Sequence, residues 1–374
     1  MAPWQFWMWP WIAPATGGGQ QHAGTQAAAA KAVGGSTIPW TSLNRLVLET
    51  AQFRLWEFSG AAGKPVLIVT PFTLHDAGLA DLAPGHSLVE ILLAGGCRAL
   101  MLLEWKSAGF ERRFETIDMQ LAALNVAVDE IGGLVDLVGL CQGGWLSLLY
   151  AARFGRKVSR LVLAGVPVDV EAEPSAITIA AQSTPAFTVD RLIEGGGGLI
   201  DGETMLRLWP DQPEWPALAR GALQISPRTS AKATNRAVDA FLCWFGRTLD
   251  LPGAYYREAL NWLYLENRLA LGRFPALGRQ VDLASVTCPL VLLAAADDNI
   301  APPKQVFAAA SLVGTPAYNQ IRYEAEGNHL ALFMGRKTLD REWREIARWL
   351  SRPCDRSLEA KTPSRNRGRD HHPR

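Results

Sequence analysis

The chain has 374 residues, 48% of them hydrophobic and 20% charged, which excludes intrinsic disorder, a collagen-like repeat and a charged coiled coil as the main architecture. Its 37 Lys and Arg are matched by 36 Asp and Glu, so no global field gathers polyanions, and a nucleic-acid role would need a local patch. At roughly 150 residues per domain, the length fits two ordinary domains or one large domain with an insertion.

Residues 1–37 read as an aromatic arm followed by a flexible linker. The arm carries Trp4, Trp7, Trp9 and Trp11, whose amphipathic rings suit an apolar-aqueous interface or pack back on the protein itself. The stretch lacks the basic region that begins a secretory signal, and no run reaches the about 18 apolar residues of a membrane span. The five cysteines, at 97, 141, 243, 288 and 354, have neither disulfide-framework nor zinc-knuckle spacing. Together these features point to the reducing cytoplasm.

From Ile38 onward the pattern alternates between short aliphatic runs and amphipathic stretches. Strands are predicted over 66–70, 99–103, 135–140, 158–164, 290–295 and 318–323. Strands separated by helices imply a mostly parallel sheet covered on both faces, with the core formed by 38–167 and 286–351. Residues 168–285 break the rhythm and read as an inserted cap, roughly 120 residues, too long for a plain loop. The cap contains helical stretches over 237–248 and 255–271. It also holds the run Gly195, Gly196, Gly197 and Gly198, the least restrained backbone in the chain. Residues 352–374 turn polar and basic, with His371 and His372 near the end, and read as a disordered tail.

Chemistry concentrates in Val135-Asp136-Leu137-Val138-Gly139-Leu140-Cys141-Gln142-Gly143-Gly144-Trp145. An apolar strand enters a G-x-C-x-G-G turn and leaves as a helix, the pattern of a nucleophile elbow with cysteine in the serine position. Gly139 and Gly143 avoid collision as the chain doubles back, and the helix N-terminus favours a thiolate and an oxyanion. Cys97, Cys243, Cys288 and Cys354 lack this context and read as buried structural thiols.

An acid and then a histidine should follow such a nucleophile. Downstream histidines are His329, His371 and His372, and the tail position of the last two leaves His329. For the acid, the strand over 290–295 runs into Asp297 and Asp298, either of which could serve, or could instead cap the turn before Pro302. His329 would then take the Cys141 proton while the aspartate fixes its tautomer. A cysteine thioester is nearly isoenergetic with an acyl-CoA, so transfer to a second acceptor is more natural than hydrolysis. His75, in the loop after the first core strand, either lines the site or sits at the surface.

At these residues the sequence resembles the polyhydroxyalkanoate synthases, especially the class III catalytic subunits, whose nucleophile box reads G-x-C-Q-G-G. Similar blocks are Asp81-Leu82-Ala83-Pro84, Ser87-Leu88-Val89, Glu104-Trp105, Pro167-Val168-Asp169, Tyr264-Leu265-Glu266-Asn267-Arg268-Leu269 and Val281-Asp282-Leu283. Asp298-Asn299-Ile300-Ala301-Pro302-Pro303 is similar to D-H-I-V-P-P, and Gly327-Asn328-His329 to G-G-H. The chain departs from the family at Pro71-Phe72-Thr73-Leu74-His75-Asp76, where I-N-K/R is expected. It also departs at Asn299, where a histidine is expected, and at Trp145, where a small residue is usual.

The resemblance implies an α/β-hydrolase fold and a Cys-His-Asp triad of Cys141, His329 and Asp298. It implies polymerisation of (R)-3-hydroxyacyl-CoA with release of CoA, and a second synthase subunit or homodimer as partner. The backbone amides of Gln142 and a residue near Phe72 would form the oxyanion hole by analogy with the fold. Attachment to a polyester granule is a further expectation, and no metal or bound cofactor is implied. The alternatives are a thioesterase or polyester depolymerase of the same fold, and a noncatalytic granule-associated protein.

Overall fold

The computed structural model describes residues 38–207 and 215–353. The aromatic arm and linker, and the tail beyond residue 353 with Cys354, His371 and His372, lie outside the described residues. The main sheet has eight strands: β1 (Arg45–Glu49), β2 (Phe53–Glu57), β3 (Pro65–Val69), β4 (Ala99–Trp105), β5 (Val135–Leu140), β6 (Val158–Ala164), β7 (Leu290–Ala295) and β8 (Gln320–Ala325). Their spatial order is β1-β2-β4-β3-β5-β6-β7-β8. Pairing is parallel from β4 through β8 and antiparallel only for β1–β2 and β2–β4. This is the α/β-hydrolase fold.

The central strands β5, β6 and β7 are buried at every position, because helices cover both faces of a parallel sheet. Side-chain alternation sorts the residues of these strands and of β3 into two cores. Leu67, Val69, Leu137, Leu161 and Leu292 face one layer, and Val66, Ile68, Val138, Val162 and Leu293 the other.

β1 and β2 escape an aliphatic-run reading because they form a half-exposed ribbon with charges interleaved. Arg54 reaches Glu49 at 3.0 Å and Glu104 at 3.1 Å. The last strand begins at Gln320 instead of Tyr318, since residues Ala317–Asn319 after Pro316 form a tight 3-10 turn.

Between Ala164 and Leu290 the chain leaves the sheet. The predicted helix over 237–248 starts earlier, as Ala231–Gly246, because the Ser230 side chain accepts the Ala233 amide at its N-terminus. The stretch over 255–271 divides into helix Gly253–Ala259, a wider π-helical segment Leu260–Leu265, and a turn through Asn267 at φ 46°.

The glycine run is not an unrestrained hinge. The Gly198 carbonyl accepts the Gly253 amide at 2.9 Å, and a β-carbon on Gly196 would lie 2.1 Å from the Leu199 carbonyl oxygen.

The start of the excursion is tied to the loop after β7. Val168 and Asp169 donate their amides to the Gln305 carbonyl at 3.2 and 3.3 Å, and the Ala176 amide meets the Asn299 carbonyl at 2.8 Å. The Gln305 side chain in turn donates to the Glu173 carbonyl at 2.7 Å.

Of the other thiols, Cys97 is buried and its pKa is pushed up to about 12, by burial first and the Asp136 charge second. Cys288 is half-buried. Cys243 departs from expectation: it is exposed, on helix Ala231–Gly246, beside the Arg247 guanidinium at 3.4 Å.

Candidate active site

Cys141 stands between β5 and helix Gln142–Arg153 with φ 48° and ψ −119°, a conformation that L-residues rarely adopt. Its strain is held by packing on both sides. A β-carbon on Gly139 would lie 2.4 Å from the Gly144 Cα, and one on Gly143 would lie 2.2 Å from the Val69 carbonyl oxygen. The Cys141 amide donates to Ala164 of the neighbouring strand at 2.9 Å. The thiol is half-buried at the N-terminus of a twelve-residue helix, whose first amides have no intrahelical acceptor.

His329 follows β8 and is buried. Its Nδ1 lies 2.7 Å from Asp298 Oδ2, and its edge packs on Phe333 with ring centroids 5.2 Å apart. A carboxylate accepts, so Nδ1 carries the hydrogen and the other ring nitrogen is left for Cys141, which lines the same cavity. Burial alone would lower the His329 pKa. The Asp298 and Cys141 charges, with the hydrogen bond to Asp298, outweigh it and raise the value to about 10.

Asp298 is buried, and its Oδ1 accepts the amides of Ile300 and Ala301 at 2.8 and 2.9 Å. Asp297 is exposed. The fold therefore brings Cys141, His329 and Asp298 together and leaves Asp297 outside the cluster.

Gln142 opens the helix, and Phe72, 2% exposed, lies in the loop after β3. Phe72 stacks on Trp105 at 5.7 Å, whose indole donates to the Thr70 carbonyl at 3.0 Å.

One residue was not singled out from the sequence as a site residue, and another was left open. Tyr255 lies in helix Gly253–Ala259, and its hydroxyl lies 3.2 Å from the Phe72 carbonyl and 3.0 Å from Gln142 Oε1. No motif marked it.

His75 is no surface residue: Trp244 and Phe245 of helix Ala231–Gly246 pack on its ring at 4.9 and 4.4 Å, and Nδ1 donates to the Arg247 carbonyl at 3.3 Å. Burial lowers its pKa to about 4, against the hydrogen bond to the Arg247 carbonyl, which raises it, so the ring is neutral near pH 7.

Cys141, His75, His329 and Tyr255 share a mostly apolar pocket with Met205 and Leu251 of the excursion. Trp145, one turn into the helix, does not line it; the indole is buried beside Phe274, ring centroids 6.0 Å apart.

Two sequence blocks also meet. Asn267 donates its side-chain amide to Asp169 Oδ1 at 2.8 Å and accepts the Val170 amide at 3.2 Å, fastening the end of the cap to its beginning. Among the described residues, no group of three or more His, Cys, Asp or Glu side chains could hold a metal ion.

No family model matches the sequence. The chain is similar to the poly(3-hydroxyalkanoate) polymerase subunit PhaC of Allochromatium vinosum, 25% identical over 301 residues that cover 77% of this chain and 80% of that protein. The subunit of the same name from Synechocystis sp. is 27% identical over 299 residues, covering 77% of each chain. Among solved structures, the monoacylglycerol lipase of Paleococcus ferrophilus matches with a TM-score of 0.50 at 15% identity, over 80% of this chain and 98% of that one. That likeness bears on the fold alone.

Proposed function

We propose that the chain is an acyltransferase that polymerises (R)-3-hydroxyacyl groups from their CoA thioesters into a polyester. The observation that carries this reading is a cysteine at the elbow of a chain similar to PhaC polymerase subunits over about three quarters of its length. Cys141 is the nucleophile, His329 the base and Asp298 the group that orients it.

His329 takes the proton from Cys141, and the thiolate attacks the acyl carbonyl. A new C–S bond forms, the bond to CoA sulfur breaks, and the leaving thiolate takes the proton back from the imidazolium. The amides of Gln142 and Phe72 stabilise the oxyanion. A 3-hydroxyl from a second acyl unit then gives its proton to His329 and attacks the thioester, forming an ester and freeing the Cys141 thiolate. The apolar cavity keeps water from the thioester, which favours transfer over hydrolysis. CoA is part of the substrate. A second synthase subunit or a second copy of the chain, and a granule surface, complete the proposed setting.

The test is incubation with (R)-3-hydroxybutyryl-CoA, with Cys141→Ala as control. Free CoA together with insoluble polyester supports the proposal. Free 3-hydroxybutyrate without polymer makes the protein a thioesterase, and no CoA release makes it noncatalytic.

A further inference from the structure

We infer that Tyr255 is a positioning residue that holds the oxyanion hole in shape from the cap, through the contacts of its single hydroxyl with Phe72 and Gln142. The inference rests on Cys141 acting as an acyl-accepting nucleophile, and adds a part to that site.

Three observations carry it. The Tyr255 hydroxyl lies 3.2 Å from the Phe72 carbonyl and 3.0 Å from the Gln142 side chain, so one group touches both residues that would donate to the oxyanion. The Tyr255 ring packs on Phe72 with centroids 5.3 Å apart, while Trp105 covers Phe72 at 5.7 Å. Phe72 is thus gripped by the core and the cap together. Finally, Tyr255 is 2% exposed and lines the same cavity as Cys141 and His329, which places its hydroxyl contacts beside the reacting groups.

The phenol stays protonated over the working range, since burial first and the Cys141 charge second raise its pKa. It can therefore donate at every pH at which the thiolate reacts. Loss of the hydroxyl would free the Phe72 carbonyl, and with it the backbone torsions that aim the neighbouring amides. An oxyanion hole acts through preorganised donors, so slack in their direction appears in the rate of forming the tetrahedral intermediate and not in substrate affinity.

The test compares two reactions of Cys141 in the full chain and in Tyr255→Phe, which keeps the ring and removes only the hydroxyl. In the first, the thiolate attacks p-nitrophenyl acetate. A C–S bond forms, the C–O bond to the leaving group breaks, and p-nitrophenolate departs with the electron pair, leaving acetyl-Cys141. That step passes through an oxyanion. In the second, iodoacetamide alkylates the same sulfur at a saturated carbon with loss of iodide, and no oxyanion forms.

Tyr255→Phe should slow the acetylation burst about tenfold, a fraction of the loss seen when an oxyanion donor itself is removed, and leave alkylation within about twofold. An unchanged burst overturns the inference. An equal slowing of both reactions overturns it too, since Tyr255 would then support the thiolate or the fold. A wild-type chain with no Cys141-dependent burst overturns the nucleophile assignment and this inference with it. A normal burst with free acid from hydroxybutyryl-CoA would instead remove only the polymerase reading.

Discussion

Asp298 holds His329 with one carboxylate oxygen, at 2.7 Å from Nδ1, and gives the other to the amides of Ile300 and Ala301. Every contact of this carboxylate is with a donor. Asp298→Asn must therefore turn its NH2 either against two backbone amides or against the imidazole N–H, and the second choice reverses the histidine tautomer. Turnover of Asp298→Asn should fall by about a hundredfold or more. Asp297→Asn, an exposed change, should stay within about twofold. Steady-state CoA release distinguishes the two, and the reverse ranking would move the acid by one position.

Cys141→Ala should abolish CoA release. Cys141→Ser should keep at most a trace, because a serine hydroxyl is far less acidic than a thiol and holds its proton in a site arranged for a thiolate. Turnover in the serine variant equal to wild type would contradict the thiolate mechanism.

His75 makes stability depend on pH. Its pKa is lowered to about 4 in the folded chain from an ordinary value near 6.5, so only the unfolded chain takes up a proton between these limits. The sign follows: the contribution is fully present above pH 6.5 and is lost as pH falls toward 4, at a cost of roughly 3 kcal/mol. Urea unfolding midpoints at pH 7.5, 5.5 and 4.5 should drop accordingly. His75→Phe should show a shallower decline over the same interval.

Gly143→Ala should damage the elbow. Its β-carbon would meet the Val69 carbonyl oxygen at 2.2 Å, a backbone atom that moves only with the sheet. A loss of about 3 kcal/mol or more is expected, read as a lower thermal midpoint. A Gly143→Ala protein as stable as wild type would show that the helix can ride outward.

Residues 135–140, 158–164 and 290–295 could be read as strands to the residue because they are buried on both faces and carry unbroken aliphatic runs. β1 and β2 could not, since Arg45, Arg54 and Glu57 interrupt them at an edge where one face meets water. In the site, Cys141 was marked by its glycines and His329 by its place after a strand, while the strand end left Asp297 and Asp298 open and only the family resemblance favoured Asp298. Nothing local marks Tyr255 or the burial of His75. His75 owes its surroundings to Arg247, 172 residues later in the chain, and to the adjoining Trp244 and Phe245. Such contacts are a product of tertiary folding, and single-sequence periodicity carries no trace of them.

The ties from Val168 and Asp169 to Gln305, and from Ala176 to Asn299, make the first stretch of the excursion part of the same cooperative unit as β7. Isotope exchange at these three amides should therefore be as slow as in the central strands, opening only when the sheet itself opens. A substrate gate, if the cap opens one, then has to be cut from the later helices, with the acid loop left undisturbed through every turnover.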